Sequence, residues 1–502
     1  MSLLAVSLAA GSLCACRAPA ASSPPRGPVT LKIGFSVPKT GTASSGSESF
    51  VNNLVADTIV GIGWDGRPAD RLVLAETAEW SDDGRALRLP LRKGLKFHDG
   101  TPIDRDAFRE SLEAILKAKQ PPGTNVSYQS VTAVELDPKS DDGIIIRLTR
   151  PEAFLLTDLA NSTLNHPKNA DIGTGPFRLI SRTPRPRLAA FDDYYRGRPQ
   201  IDALEVNDFD EQRAAWAALM RQEIDAVHEI SPNAFDFVQA EGQTNVRTFP
   251  FVKPYYFQLM FNVRHPVLKN VAVRQGLSYA IDRQAVIDVA LNKQGVVAEG
   301  PIWPFHWAYS TASKSYTHNT EAATLRLESA GLKVSRPSKP GQMPSRLHIR
   351  CLTVAKDARY EKIALVLQKQ LYEIGVELEI EALPGRQLVQ RMFAGDFDTV
   401  LIERTSGRSL AWTYLTFHST QGPFGYSAAD NVLDKLRRTT EDAQIREGVS
   451  ELQQVLHDDP PAIFIAWPKV ARVVSSRFAV QGEAGRDVLS NLWQWKPAGT
   501  TP

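Results

Sequence analysis

The stretch from Tyr255 to Leu291 constrains the fold more than any other part of the chain. Tyr255, Phe257, Leu259 and Phe261 fall on one side of an alternation, and Tyr256, Gln258, Met260 and Asn262 on the other. That two-residue period is the signature of a strand. Pro254 marks a break just before it, because proline fixes φ and offers no ladder donor. After a polar loop (Arg264, His265, Pro266), Asn270 is placed to cap a helix carrying Val273, Leu277, Ala280 and Ile281. Asp282 is placed to cap a second, running through Ile287 to Leu291. A long strand in mid-chain with aromatics at its mouth predicts a crossover into a new lobe, with a cleft beside it.

The rest of the chain bounds the answer. At 502 residues it is long for one core, and roughly three domains are expected. The balance of 58 basic against 56 acidic side chains gives +2, which argues against a nucleic-acid partner or an electrostatic membrane patch. No apolar run approaches the ~20 residues needed to span a bilayer. Cys14 and Cys16 lie in an apolar N-terminal stretch and Cys351 is alone in the body, so no disulfide framework is expected there. Leu3 to Ala10 reads as a secretion segment. No Lys or Arg precedes it, so the natural start is expected upstream of Met1. Arg17 to Pro28, rich in Ala, Pro and Ser, reads as a tether.

In chain order, Leu31, Ile33 and Phe35 predict a first strand, followed by the Ser36–Ser47 loop and a helical stripe from Phe50 to Ile59. A meander from Leu72 to Leu91, a helix capped by Asp104 and two strands around Asp142-Gly143 come next. Leu347 to Thr353, the helix face Tyr360–Ile374 and the alternation Val376–Ile380 form a βαβ unit. With helix Gln387–Phe393 and strand Thr399–Ile402 it predicts a mostly parallel α/β lobe. Pro461–Trp467 and Val470–Val474 read as two closing strands.

Several runs resemble a known family. Asn262-Val263-Arg264 with Val273-Arg274-Gln275-Gly276-Leu277-Ser278-Tyr279-Ala280-Ile281-Asp282-Arg283 is similar to the signature of the peptide- and nickel-type (family 5) extracytoplasmic solute-binding proteins of ABC importers. Leu91 to Pro102, Gly173 to Phe177, Asp193 to Pro199 and Glu223 to Ala226 resemble further family elements, so the likeness covers about residues 30 to 495. It implies a periplasmic-binding-protein-like α/β fold, in which two α/β lobes joined by a hinge carry an extra α+β domain. Carried over, lobe I is discontinuous (29–46, 172–254 and 472–497), domain II is 47–171 and lobe III is 255–471. Residues 1–28 are the signal, lipobox and tether, and the hinge is the pair of crossings near Phe251–Tyr256 and Trp467–Ala471. Leu13-Cys14-Ala15-Cys16 resembles a lipoprotein cleavage box with Cys16 as the lipidated residue. The partners implied are a peptide or other small solute and the permease subunits of an importer, with the protein itself a monomer.

The chemistry-bearing residues favour binding over catalysis. Gly173-Thr174-Gly175 lacks the Lys and helix of a phosphate loop, so turn glycines are the better reading. The nine histidines show no i, i+4 pair and no cysteine partner, so no metal site is expected. There is no Gly-x-Ser-x-Gly elbow, although a hidden hydrolase triad stays open as the rival reading. No cofactor is expected. Trp303, Phe305 and Trp307 sit in a loop interrupted by Pro301 and Pro304, and either line a cleft or pack within the lobe. In peptide-binding members the loop after the Thr399–Ile402 strand carries an aspartate for the ligand α-ammonium. Here it reads Arg404 to Trp412 with no acid, and Glu403 is the nearest carboxylate. Arg404 and Arg408 therefore either favour an anionic ligand or point to solvent. The expected ligand contacts are Val37, Lys39, Thr40, Tyr255, Tyr256, Trp303, Trp307, Arg404, Arg408 and Trp412. A peptide is the first expectation for the ligand; an oligosaccharide or other anionic, opine-like solute competes with it.

Overall fold

A computed structural model of the protein describes residues 27–36, 46–68, 73–117, 126–230, 245–312, 314–335, 344–483 and 485–499. The strands of the first half are β1 (Thr30–Phe35), β2 (Glu79–Trp80), β3 (Ala86–Pro90), β4 (Val131–Leu136), β5 (Gly143–Leu148), β6 (Phe177–Ser181), β7 (Arg187–Ala190), β8 (Ala203–Asp208) and β9 (Ala226–Ile230). Those of the second half are β10 (Val246–Val252), β11 (Tyr255–Phe261), β12 (Gly295–Val297), β13 (Leu347–Val354), β14 (Val376–Leu383), β15 (Thr399–Thr405) and β16 (Ala462–Ser475). The main sheet runs in the order β14-β13-β15-β11-β16-β9-β1-β8-β7-β6, with β10 and β12 also paired to β16. A separate antiparallel sheet, β2-β3-β5-β4, closes over the helix Arg105–Lys117 through Leu87, Leu89, Ile144, Ile146, Phe108 and Leu112.

Two sequence expectations change here. Pro461–Trp467 and Val470–Val474 are one strand of 14 residues, β16. Its first half ladders onto β11 and β12, and its second half onto β10 and β9. Pro468 sits where the ladder changes partners, so its missing N–H interrupts no run of bonds, and its carbonyl still accepts the Lys253 N–H (3.0 Å). The far lobe is also less parallel than expected. Only β13, β14 and β15 are parallel, because only they are linked by crossover helices. β11 and β16 enter and leave directly through the crossing and lie antiparallel to their neighbours.

The central stretch folds as its pattern dictates. Asn270 and Asp282 accept the N–H groups of Ala272 (3.0 Å) and Ala285 (2.9 Å), capping helices Val271–Tyr279 and Arg283–Ala290. Val273, Leu277, Val286 and Ile287 then bury against the Phe257, Leu259 and Phe261 face of β11. The two arginines of the signature are structural. Arg274 binds the carbonyls of Leu268 (2.6 Å) and Pro460 (2.9 Å) together with the Asp459 carboxylate; Arg283 binds those of Phe464 (2.7 Å) and Tyr316 (3.1 Å). Each satisfies chain ends that would otherwise be buried without partners.

The domain built on the small sheet is joined to the far lobe by buried polar contacts. Arg437, on helix Asp430–Arg438, grips the fully buried Glu152 (Nη2–Oε2 2.6 Å, Nε–Oε2 2.7 Å) and donates to Val126 O and Tyr414 Oη (3.1 Å each). Nearby, Trp303 Nε1 donates to Trp64 O (3.1 Å) and the Trp307 N–H to Asp65 O (3.0 Å). Gly66 (φ +83°) lies so close to the His306 ring and the Arg408 carbonyl that a side chain there has no room. His306 is buried, and burial lowers its pKa to about 4.

Arg437→Met leaves Glu152 buried without its partner. Denaturant unfolding is expected to show a loss of roughly 3–5 kcal/mol, largely restored in Arg437→Met/Glu152→Gln. His306 has a folded-state pKa below its unfolded 6.5, so its neutral ring contributes fully above pH 6.5, and the contribution is lost as pH falls toward 4. Relative to His306→Gln, the wild type should lose on the order of 3 kcal/mol between pH 7.5 and 4. Comparing the two proteins cancels the opposite slopes of buried Asp57 and Asp158, each pushed up to about 6 by burial.

Candidate functional site

Where β11 meets β15, the register places Tyr255 opposite Thr405, Tyr256 opposite Arg404, Phe257 opposite Glu403 and Gln258 opposite Ile402. Strand alternation then sorts the polar groups onto two faces. Phe257 and Glu403 face helix Ala358–Glu373: the Tyr360 ring is 5.4 Å from Phe257, and Tyr360 Oη accepts the Glu403 N–H (3.0 Å). Tyr256, Gln258 and Arg404 share the other face, beneath helix Leu410–Phe417, where Arg404 Nη2 donates to Thr416 Oγ1 (3.2 Å). Tyr256 leans on Trp467 (4.9 Å between rings), Trp467 on Trp303 (5.3 Å), and Trp303 on Trp64 (5.1 Å). An aromatic chain therefore runs from the small-sheet domain to the mouth of β11.

The charges divide in the same way. On the Phe257 face, Arg359 binds Asp357 (2.8 Å) and approaches Glu403 (3.9 Å), while Lys253 binds Glu229 (3.3 Å) across the crossing. Arg472 of β16 holds Asp487 through two bonds (2.9 and 2.7 Å) and lies 3.9 Å from Glu229. Burial works against both Glu229 and Lys253. Even so, Lys253 and Arg472 hold the Glu229 pKa below the usual carboxylate range, and Glu229 and Glu403 raise that of Lys253. Glu403 is thus engaged with cations on the side away from Arg404. His228, stacked on Phe35 (4.1 Å), is kept neutral by burial and by Arg472 and Lys253.

The Arg404 face has no such balance. Burial lowers the Arg404 pKa, and the Tyr256 hydroxyl is what offsets it. Arg408 sits in the left-handed region (φ +58°), between Gly407 (φ +52°) and the cap residue Ser409, with its Nε lacking a hydrogen-bond partner. Its guanidinium lies 5.8 Å from the Trp64 ring, and that of Arg486 lies 5.9 Å from the same ring. Burial lowers the Arg408 pKa too, Asp487 opposing and Arg486 reinforcing. Trp64, Arg408 and the Arg486-Asp487 pair come from the small-sheet domain, the far lobe and the C-terminal segment respectively, so three parts of the chain meet at one point.

The expected contact residues fall unevenly around this junction. Val37, Lys39, Thr40 and Cys16 lie outside the described residues. Tyr255 is 40% exposed, with the Lys253 ammonium 5.3 Å from its ring. Tyr256 and Trp303 are fully buried, and Trp303 spends its surface on Trp64, Phe305 and Trp467. Trp307 is half-buried at the domain contact, under Arg67 (4.1 Å) and Arg446 (5.0 Å). Trp412 is half-buried against Gly407, which has no room for a side chain. Sequence reasoning missed Trp64, Gln258, Arg486 and Asp487. Trp64 beside the Asp65-Gly66 turn was a readable hint, whereas Arg486-Asp487 carries none. Among the described residues no cluster of three His, Cys, Asp or Glu is placed to hold a metal, and the Cys351 thiol is pushed up to about 12 by burial. A cationic, aromatic junction of this kind suits holding a solute rather than activating a nucleophile.

Comparison with known proteins agrees with that geometry. Residues 71–426 match the family described as bacterial extracellular solute-binding proteins, family 5. The dipeptide-binding protein of Escherichia coli K12 is 26% identical over 440 residues, covering 78% of this chain and 80% of that protein. The oligopeptide-binding protein AppA of Bacillus subtilis is 26% identical over 436 residues, 79% and 78% of the two chains. The structure of NikA from Brucella suis in complex with Fe(III)-EDTA superposes with a TM-score of 0.80 at 20% identity, over 93% of this chain and 99% of that one. The chain belongs to the family 5 bacterial extracellular solute-binding proteins and is a solute-binding component of an ABC importer, not an enzyme.

Proposed function

We propose that this protein captures a peptide or related small solute between its two lobes and delivers it intact to an importer's permease, without gripping a free α-ammonium. One observation carries the second half of that reading. The face of β15 that holds Arg404 presents a cation, and the adjacent carboxylate, Glu403, is turned to the other face, where it lies 3.9 Å from Arg359. A ligand amine placed there meets the Arg404 guanidinium; an uncharged or acidic group meets donors. The lobes would rock about the paired segments Phe251–Tyr256 and Trp467–Ala471, with lobes and extra domain divided as the family resemblance implies. Solute bound to both lobes then shifts the population toward the closed form. The protein acts as a monomer, outside the cytoplasm, tethered through a lipid on Cys16.

The test is a titration of the purified protein with a pool of di- to pentapeptides, followed by tryptophan fluorescence and by mass spectrometry of the recovered ligand. The expected outcome is a fluorescence change, ligand returned unaltered, and affinity changed by no more than about twofold when the peptides are N-acetylated. A loss of about tenfold or more on acetylation overturns the amine-independent reading, and turnover of the ligand overturns the binding-protein reading.

A further inference from the structure

Two polar side chains on the Arg404 face of β11, Tyr256 and Gln258, lack the partners that buried groups almost always have, and Arg404 beside them has a single neutral one. Gln258 is 0% exposed, yet neither Oε1 nor Nε2 makes a hydrogen bond, and the Tyr256 hydroxyl, equally buried, makes none. Arg404, half-buried, has one side-chain bond, to the neutral Thr416 hydroxyl, and no ion pair among the described residues. Tyr256 lies directly across the ladder from Arg404, and Gln258 lies on the diagonal, two residues further on the same face. Such diagonal pairs are about 7–8 Å apart, within reach of each other's long side chains. Packing does not explain an amide here. Its neighbours on this face, Met260, Ile402 and Phe464, are apolar, and a leucine would fill the same space without an unpaired donor and acceptor.

Together these groups offer three kinds of donor, a planar guanidinium fork, a phenol O–H and an amide N–H, beside one acceptor, the Gln258 Oε1. A guanidinium matches two coplanar oxygens, which is the geometry of a carboxylate. We infer that Arg404, Tyr256 and Gln258 form a carboxylate-recognition subsite at the inner end of the aromatic chain, taking an acidic group of the solute while its body lies toward Trp467, Trp303 and Trp64. The inference rests on the capture function proposed above and adds to it the chemical class of the group that enters first. Arg404 binds the carboxylate, Tyr256 donates a further bond, and Gln258 fixes the orientation from below.

The probes are 4-fluorobenzoate and its uncharged isostere 4-fluorobenzamide, titrated into the intact protein and followed by fluorine NMR. The benzoate is expected to bind at least about tenfold more tightly than the amide, since only it completes the charge. Arg404→Gln should remove that preference, and Arg404→Lys, which keeps the charge but loses the fork, should retain part of it. Gln258→Leu separates a ligand role from a structural one. It should raise the unfolding temperature, by removing unpaired buried atoms, while weakening benzoate binding by about threefold or more. Equal binding of the two probes, or benzoate affinity unchanged in both Arg404→Gln and Gln258→Leu, overturns the subsite. If the peptide pool is captured while benzoate is ignored, this inference fails and the capture function stands. If benzoate is bound with the stated preference and no peptide is captured, the subsite stands and the peptide reading fails.

Discussion

A single strand passing through both lobes is the constraint to which the rest of the structure answers. β16 contributes its first seven residues to one half of the main sheet and its last seven to the other. Both halves of the main sheet are therefore completed by the same strand. The cost of such sharing is stiffness, and it is relieved at one place. Pro468 and Pro254 offer no N–H where the chain crosses between the halves, and their carbonyls accept the N–H groups of Lys253 (3.0 Å) and Ser406 (2.9 Å) instead. The lysine, arginines and carboxylates gathered beside the crossing, Lys253, Glu229, Arg359 and Arg472, supply long-reaching attraction there in place of ladder bonds.

Much of this architecture was readable from residues alone, because the physics that fixes it is local. The alternation from Tyr255 to Phe261, the caps Asn270 and Asp282, and the helix-ending Gly331 and Gly375 (φ +85° and +77°) each specify their own conformation within a few positions. The errors came where the deciding partner is remote. Pro468 reads as a strand break, and it is one only if the strand keeps the same neighbour; whether the neighbour changes is settled by β10, more than two hundred residues earlier. The direction of β11 is likewise set by how the chain enters the lobe, not by anything in the Leu347–Ile402 repeat of strands and helices that suggested a parallel sheet.

The site was legible in its charges and illegible in its walls. Arg404 and Arg408 stand out in a segment without acids, and the carboxylate that bears on Arg408, Asp487, comes from the C-terminal segment. Which aromatics share surface with them could not be read, since Trp64 and Trp303 are 239 residues apart and meet by folding alone. The loop of Trp303 cannot form a regular face, which left both a cleft wall and packing within the lobe open for it. The indole instead disappears among three other rings, since an aromatic of that size releases more free energy fully covered than partly wetted.

The ion pair between Arg437 and Glu152 has a bearing on how such a protein changes over time. The small-sheet domain is joined through the chain to the strands of the first lobe, yet it is also tied to the far lobe by a buried ion pair. It is a strap laid across the jaws, fastened to one by the chain and to the other by a guanidinium and a carboxylate. A change at 437 or 152 unfastens the two parts without altering any residue of β11 or β15.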